Sequence, residues 1–333
     1  MAADTLRYDV ITVGSAIVDM FVHVTEDRLD SLGLVKGSMS LIDEGRALEL
    51  VEGLEVASVV GGGSAANTAV GCASFGLSTQ HIAVCADDDL GREYVRQLHD
   101  AGVEVPHPRN DLAVGTGRCI VMVTPDGERT MSTFLGASTE ITASDVAPAP
   151  LTRGGLVYIE GYLLDVPGLE DALIESVRVL ADSDTEVALS LSDVFVVERH
   201  RLAIEAMLPY MSHLFGNAAE AMALTGSATA GEAVAHLAAR TGVAIVTDGA
   251  AGAWGATGTT ARHRQGLDLP VIRDTTGAGD LFAAGYLAGV VREHSLEERL
   301  HLGNRSAAEV LGQLGARPPR ALHLLLGGDA LDR

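Results

Sequence analysis

Asp274-Thr-Thr-Gly-Ala-Gly-Asp280 runs directly into Leu-Phe-Ala-Ala-Gly-Tyr-Leu-Ala-Gly-Val-Val. Leu281, Ala284, Leu287 and Ala288 recur at helical spacing and mark one face of a helix. The small-residue turn Gly277-Ala278-Gly279 must therefore open that helix. A helix start carries unpaired N–H groups and the positive end of the dipole, so this turn is an anion site. A carboxylate at Asp280 cannot be there to bind the anion. It can take a proton from a hydroxyl while the backbone N–H groups stabilise charge on a phosphoryl group in flight. The plainer alternative makes Asp280 a first-turn carboxylate favoured by the dipole and the glycines a tight turn. A lone Gly-x-Gly-Asp would favour that alternative; the whole heptapeptide is far more specific.

Upstream of this segment, short apolar runs recur: YDVITV at 8–13, HIAVC at 81–85, LVYIE at 156–160, VALSL at 187–191 and VAIVT at 243–247. They read as buried parallel strands. Helical patterns lie between them, at 90–101, 169–181, 231–240 and 280–292, several closed by glycine. This alternation predicts an α/β fold, a mainly parallel sheet with helices on both faces. Two segments break it. One runs from about Asp19 to Ile42; the other, CIVMVTPDGERTMSTFL, is two β-like runs about the turn Pro125-Asp126-Gly127. They form either a surface insertion or a β-rich lid over a ligand cleft.

A second glycine-rich turn, Gly61-Gly62-Gly63-Ser64-Ala65-Ala66-Asn67, leads into a small-residue helix. Glycines let a ligand approach the backbone, and Asn67 offers both a donor and an acceptor to a hydroxyl. As a bare pattern it is also a plain turn followed by a helix. The first strand ends in VGSAIVD without GxGxxG, so it is not a dinucleotide-binding turn. The single lysine, Lys36, stands in VKGS, and no Gly-Lys-Ser/Thr phosphate loop is present.

Composition narrows the remaining classes. With 47% hydrophobic residues among 333, the chain can bury a sizeable core and is not disordered. Lys and Arg number 23 against 45 Asp and Glu, a net charge of −22, which repels nucleic acid and anionic membrane. Any polyanionic partner is a small ligand in a local site. Cys72, Cys85 and Cys119 are odd in number and lack CxxC spacing, and the 11 histidines show no HxxxH or HxH, which argues against disulfides and a zinc site. No apolar run is long enough to span a bilayer, and MAADTLRYDV has no signal-peptide character, so a soluble, cytoplasmic protein is expected. Asp87-Asp88-Asp89 reads as a charged helix start.

Taken together and in order, Gly14-Ser-Ala-Ile-Val-Asp19, GGGSAAN, the hairpin of residues 119–134, Asn217-Ala-Ala-Glu220, Thr247-Asp-Gly-Ala-Ala-Gly252 and DTTGAGD resemble the ribokinase/PfkB family of carbohydrate and nucleoside kinases. The resemblance covers essentially the whole chain. Gly-Gly-Ser-x-x-Asn, Glu160-Gly161-Tyr162 and ERTMSTFLGA bring it nearer the adenosine-kinase-like branch than the ribokinase form with Lys after the glycines. It implies a ribokinase-like core of residues 1–18, 46–111 and 141–333 and a β-rich lid of residues 19–45 and 112–140. The implied activity is transfer of the γ-phosphoryl group of ATP to a primary hydroxyl, first of adenosine to its 5′-monophosphate. A furanose sugar kinase of the ribose or fructose type is the alternative, and a non-catalytic ligand-binding regulator the rival.

The resemblance also assigns roles. Asp280 becomes the base, and Gly277, Ala278 and Gly279 the anion hole. Asp19, Gly62, Gly63 and Asn67 become the acceptor site, where a carboxylate suits two vicinal hydroxyls. Asn217, Thr247, Gly249, Gly252 and Asn304 fall on the ATP side, and Glu220 acts on Mg²⁺ through water. Asp248, a charge beside the expected phosphates, should face solvent. Asp274 and the carbonyl of Thr276, beside Gly315-Ala316, match positions that bind a monovalent cation in several relatives, which allows potassium. Without the family, Asn217 and Glu220 read as a loop residue and a solvated helix residue. Phe134 and Phe21 are candidates for stacking on a base. The expected partners are ATP and a nucleoside or sugar, with no nucleic acid or membrane, and the chain is a monomer or a homodimer.

Overall fold

Successive side chains of a strand point to opposite faces, and Leu156-Val157-Tyr158-Ile159 shows the consequence. In the computed structural model, which describes residues 8–313 and 315–326, Val157 and Ile159 enter one hydrophobic core. Leu156 and Tyr158 enter another on the far side of the sheet. A strand buried on both faces must be apolar throughout, which is why the sequence shows unbroken runs and not alternation. Residues 1–7, on which part of the signal-peptide reading rests, lie outside the described residues.

The strands are β1 (Tyr8–Val13), β2 (Ile17–His23), β3 (Met39–Leu41), β4 (Val56–Gly62), β5 (Thr79–Ile82), β6 (Val103–Glu104), β7 (Gly117–Val123), β8 (Arg129–Phe134), β9 (Gly154–Glu160), β10 (Glu186–Ser190), β11 (His213–Asn217), β12 (Val243–Thr247), β13 (Ala253–Thr257) and β14 (Thr260–Arg264). The larger sheet has the order β14-β13-β12-β11-β10-β9-β1-β5-β6. It is parallel from β6 to β12, and β13 and β14 turn back antiparallel at the edge. All five runs expected as strands lie in its parallel part. The run HIAVC pairs at His81 and Ile82, where β5 ends, and Ala86 beyond it bridges to Arg109.

Helices Glu170–Ala181, Val194–Arg199, Arg201–Met207, Ala218–Thr225 and Ala230–Ala238 contribute to the first core. Ser64–Ser74, Ala278–Val291 and Leu296–Leu311 fill the second. The acidic helix start is confirmed: Asp88 caps Asp89–Asp100 by accepting the Gly91 N–H at 2.7 Å. The helix Ala278–Val291 departs from the one-faced expectation, since every residue from Leu281 to Val290 is buried. Its Gly and Ala content has a steric cause. Gly71 packs on Ala284, Gly285 on Ser306 and Gly303 on Phe282, and a Cβ at any of these glycines would collide with its neighbour.

The smaller sheet has the order β3-β8-β7-β2-β4. One face is covered by helices Glu26–Ser31 and Glu44–Glu52, whose Leu29, Ala47 and Leu50 pack on Val22, Ile120 and Met122. The other face presents Ile17, Cys119, Met131 and Leu135 to the main cavity. Its β7–β8 turn carries Gly127 at φ +85°, the left-handed geometry that the Pro-Asp-Gly sequence foretells. β4 pairs antiparallel with β2, although its residues fall in the stretch 46–111 that the sequence reading gave to the core. As a half-exposed edge strand, β4 shows no continuous apolar signal. The three cysteines are buried and unpaired, and no helix among the described residues is long and apolar enough to cross a membrane.

Candidate active site

Gly277 caps the helix Ala278–Val291 in the left-handed region at φ +77°, pressed against Ala316 where a Cβ would clash. Gly63 does the same for Ser64–Ser74 at φ +94°, close over the Ser15 carbonyl. Only glycine meets both demands at once. The two helix starts meet through Asp280: Ser64 Oγ donates to Oδ1 at 2.7 Å, and Asn67 Nδ2 donates to Oδ2 at 2.9 Å. Burial raises the Asp280 pKa, while these two donors and the charge of Arg317 pull it back. The result is a carboxylate held in one orientation and more basic than an exposed aspartate.

Asp280 and Gly279 line a cavity of about 690 Å³ together with Asp19, Gly63, Asn67 and Thr276. Gly277 and Ala278 shape the turn from behind its wall. One N–H of the Asn67 amide is engaged by Asp280, and its Oδ1, buried and unpaired, remains as an acceptor. Asp19 on β2 has its pKa pushed up to about 7 by burial, against the pull of Arg317 and Arg129 and with the push of Asp280. Gly62 lies behind Asp19, where a Cβ would run into the carboxylate.

Three residues given no role from the sequence hold this arrangement. Ser64 orients Asp280, as described. Glu160, buried at the end of β9, accepts the N–H groups of Ser15 at 2.7 Å and Ala65 at 3.0 Å, so it ties the end of β1 to the glycine turn. Burial pushes its pKa up to about 7, and Gly14 is a glycine because this carboxylate occupies the place of a side chain. Arg317 donates Nε at 3.1 Å, and also Nη2, to the carbonyl of Gly61, whose N–H is held by Gln97 Oε1 at 2.7 Å. Glu160 stood in the sequence only as a branch marker, and nothing local singles out Arg317.

At the ends of β11 and β12, Asn217, Glu220 and Thr247 line the same cavity. Asn217 and Glu220 form a reciprocal cap: Asn217 Oδ1 accepts the Glu220 N–H, and Glu220 Oε2 accepts the Asn217 N–H, both at 2.9 Å. Glu220 is therefore buried, not the solvated helix residue read without the family. Asn-x-x-Glu before an apolar run is itself the capping signal that could have revealed this. Burial and the nearby charge of Asp193 push its pKa up to about 7, so a cation beside it would relieve an unfavourable accumulation of charge. Among the described residues no group of three or more His, Cys, Asp or Glu could hold a metal alone.

Gly249 and Gly252 shape the turn after β12, outside the cavity wall; Gly252, at φ +99°, is packed against the backbone of Arg264 and Gly266. Asn304 is buried and donates Nδ2 to the carbonyls of Arg264 and Gln265 at 3.1 Å each, so it secures that loop and is not on the wall. Asp248 is half-buried and lines a separate hollow with Thr229 and Trp254; it turns away from the main cavity, though not into open solvent. Phe134 is not a stacking surface, being packed in the covered side of the small sheet, and Phe21 lies under the Arg129 guanidinium. The aromatic residues on the cavity wall include Tyr162 and Phe195, a tilted pair 6.0 Å apart. Asp274 lies behind the wall, bonded to Thr276 and Gly315.

The chain is similar to known proteins in both sequence and fold. Adenosine kinase from Sinorhizobium meliloti superposes with a TM-score of 0.86 at 36% identity, covering 96% of this chain and 98% of that one. A probable sugar kinase protein from Rhizobium etli CFN 42 gives 0.86 at 34% identity, with 96% and 97% covered. Adenosine kinase of Saccharomyces cerevisiae is 27% identical over 333 residues, 93% of this chain and 96% of its own. The family model described as pfkB family carbohydrate kinase matches residues 27–321. With that match spanning most of its length, and with Asp280 seated between two glycine-capped helix starts, this chain belongs to the pfkB family of carbohydrate kinases.

Proposed function

We propose that this chain transfers the γ-phosphoryl group of ATP to the 5′-hydroxyl of a nucleoside, adenosine first. The observation that carries this reading is the make-up of the cavity. Alongside the polar groups gathered with Asp19 and Asp280, its wall carries Met39, Leu41, Met131, Tyr162 and Phe195, and most of its exposed lining is apolar. A free sugar is polar all round and gains nothing from such a wall; a flat heterocyclic base does.

In this reading Asp19 accepts hydrogen bonds from two ribose hydroxyls and Asn67 Oδ1 from a third group. Asp280 takes the proton of the attacking hydroxyl, its lone pairs aimed by Ser64 and Asn67. The first turn of Ala278–Val291 stabilises charge on the transferring phosphoryl group. Asn217 and Thr247 lie toward ATP, with Gly249, Gly252 and Asn304 acting on the shape of that side through the loops they set. Mg²⁺, bound with the phosphates, would neutralise their charge, with Glu220 reaching it through water. The small sheet serves as the lid over the acceptor and keeps water from the phosphoryl group. Three unpaired thiols and a need for ATP suit a cytoplasmic location.

The likeness to the R. etli protein supports a second reading, a furanose sugar kinase. The regulator without turnover is disfavoured, since a pure binder has no need of an oriented carboxylate at a helix start. The deciding experiment measures ADP formed from ATP and Mg²⁺ with a panel of nucleosides and sugars. Adenosine should give the largest kcat/KM; turnover of ribose or fructose without adenosine would replace the first reading by the second, and no turnover with any acceptor would favour the regulator.

A further inference from the structure

Both carboxylate oxygens of Asp274 are engaged by the protein itself. Oδ1 accepts the backbone N–H of Thr276 at 3.0 Å and its hydroxyl at 2.7 Å, and Oδ2 accepts the Gly315 N–H at 2.7 Å. Arg129 completes the set: its Nη2 stands 2.6 Å from Oδ2, and its Nη1 donates to Thr276 Oγ1 at 2.8 Å. Nη2 makes no hydrogen bond, so its contact with Oδ2 is an ion pair. With the two side chains only 12% and 5% exposed, solvent screens it little.

A carboxylate offers about four lone-pair sites. Thr276 and Gly315 fill three of them, and the Arg129 guanidinium stands 2.6 Å from Oδ2, so a monovalent cation at Asp274 would have to sit against a positive charge. The potassium site that the resemblance allows does not fit this chain.

Arg129 arises from β8 of the small sheet, and its guanidinium lies 5.3 Å from the centre of the Phe21 ring on β2. Asp274, Thr276 and Gly315 lie outside that sheet, beside the turn that opens Ala278–Val291. We propose that Arg129 is a built-in cation for the Asp274 cradle, delivered by the small sheet, so that the loop preceding Gly277 is set without a monovalent ion. Arg129 is thus a positioning residue, acting through Asp274 and the shared hydroxyl of Thr276. The order of that loop is tied to the small sheet being in place.

The activity arm of the test rests on the kinase reading above; the binding arm does not. Thermal unfolding without substrates, in KCl, NaCl and choline chloride at equal ionic strength, reads cation binding directly. The wild-type protein should unfold at the same temperature in all three. Arg129→Gln frees Oδ2 and should gain a rise in Tm specific to K⁺, together with K⁺ activation of turnover of at least about fivefold. Arg129→Lys should remain indifferent, and Arg129→Ser repeats the test if the Gln variant does not fold. A K⁺-specific stabilisation or activation of the wild type overturns the proposal. So does a folded Arg129→Gln or Arg129→Ser protein that ignores K⁺ in both readouts.

Discussion

The floor of the cavity and the sheet opposite it are assembled in contrasting ways. In the floor, Gly277, Gly279 and Asp280 lie within a few consecutive residues at the start of one helix, and that helix is buried along its length between two others. On the opposite side, Asp19, Met39, Cys119 and Met131 come one from each of β2, β3, β7 and β8, and some of these strands are far apart in the chain. The floor is rigid because its geometry is local and its packing dense. The small sheet owes its place to contacts across the molecule, such as Arg129 with Asp274 and Arg317 with Gly61. In the function proposed here, chemistry resides in the locally built floor and acceptor selection in the sheet assembled across the chain.

That division is broken most directly at Asp280. Asp280→Asn should lower kcat by ~10²–10⁴-fold with ATP affinity kept, as loss of a general base does. Near wild-type kcat, measured at saturating substrates, would remove the base from the floor. The rigidity of the floor is tested next by Gly285→Ala. A methyl group directed at Ser306 has nowhere to go, and overpacking of this kind costs about 1–3 kcal/mol. Denaturant unfolding should show that loss, and an unchanged midpoint would mean that the helix pair can part.

On the side of the small sheet, Asp19→Ala should weaken acceptor binding by about 1–3 kcal/mol, through the hydroxyls left unpaired, with kcat far less affected than by Asp280→Asn. An unchanged acceptor KM would place the acceptor elsewhere. The smallest effect is on pH. Asp19, with its pKa pushed up to about 7, must be ionised to accept two hydroxyl protons. Acceptor affinity should therefore rise up to about tenfold between one pH unit below that value and one above. Stability moves the other way. A carboxyl group that ionises near pH 4 in the unfolded chain and near 7 in the folded one favours folding at the acid end. That contribution, from Asp19, Glu160 and Glu220 alike, is lost as pH rises from about 4 through 7. Isothermal titration at several pH values reads the first effect and thermal unfolding the second. An acceptor affinity flat across this range would show that Asp19 stays ionised throughout.

The amino-acid sequence by itself determined whatever depends on neighbours along the chain. Unbroken apolar runs specified β1, β9, β10 and β12, and Pro-Asp-Gly specified the β7–β8 turn. The glycines at 63 and 277 announced helix starts because a positive φ excludes other residues. Asp280 was legible for the same reason: its chemistry follows from its place one turn inside such a start. Partnerships between distant residues were decided only by the tertiary structure. That Ser64 and Asn67 grip Asp280, that Glu160 joins β1 to the glycine turn, that β4 belongs to the small sheet, and that Arg317 and Arg129 bring charge to Asp19 and Asp274 leave no mark in local pattern. A hydrogen bond or ion pair between residues far apart needs only complementary groups at the right place in space. Any polar residue along the intervening chain satisfies local rules equally well, and the packing of the two cores selects which ones meet.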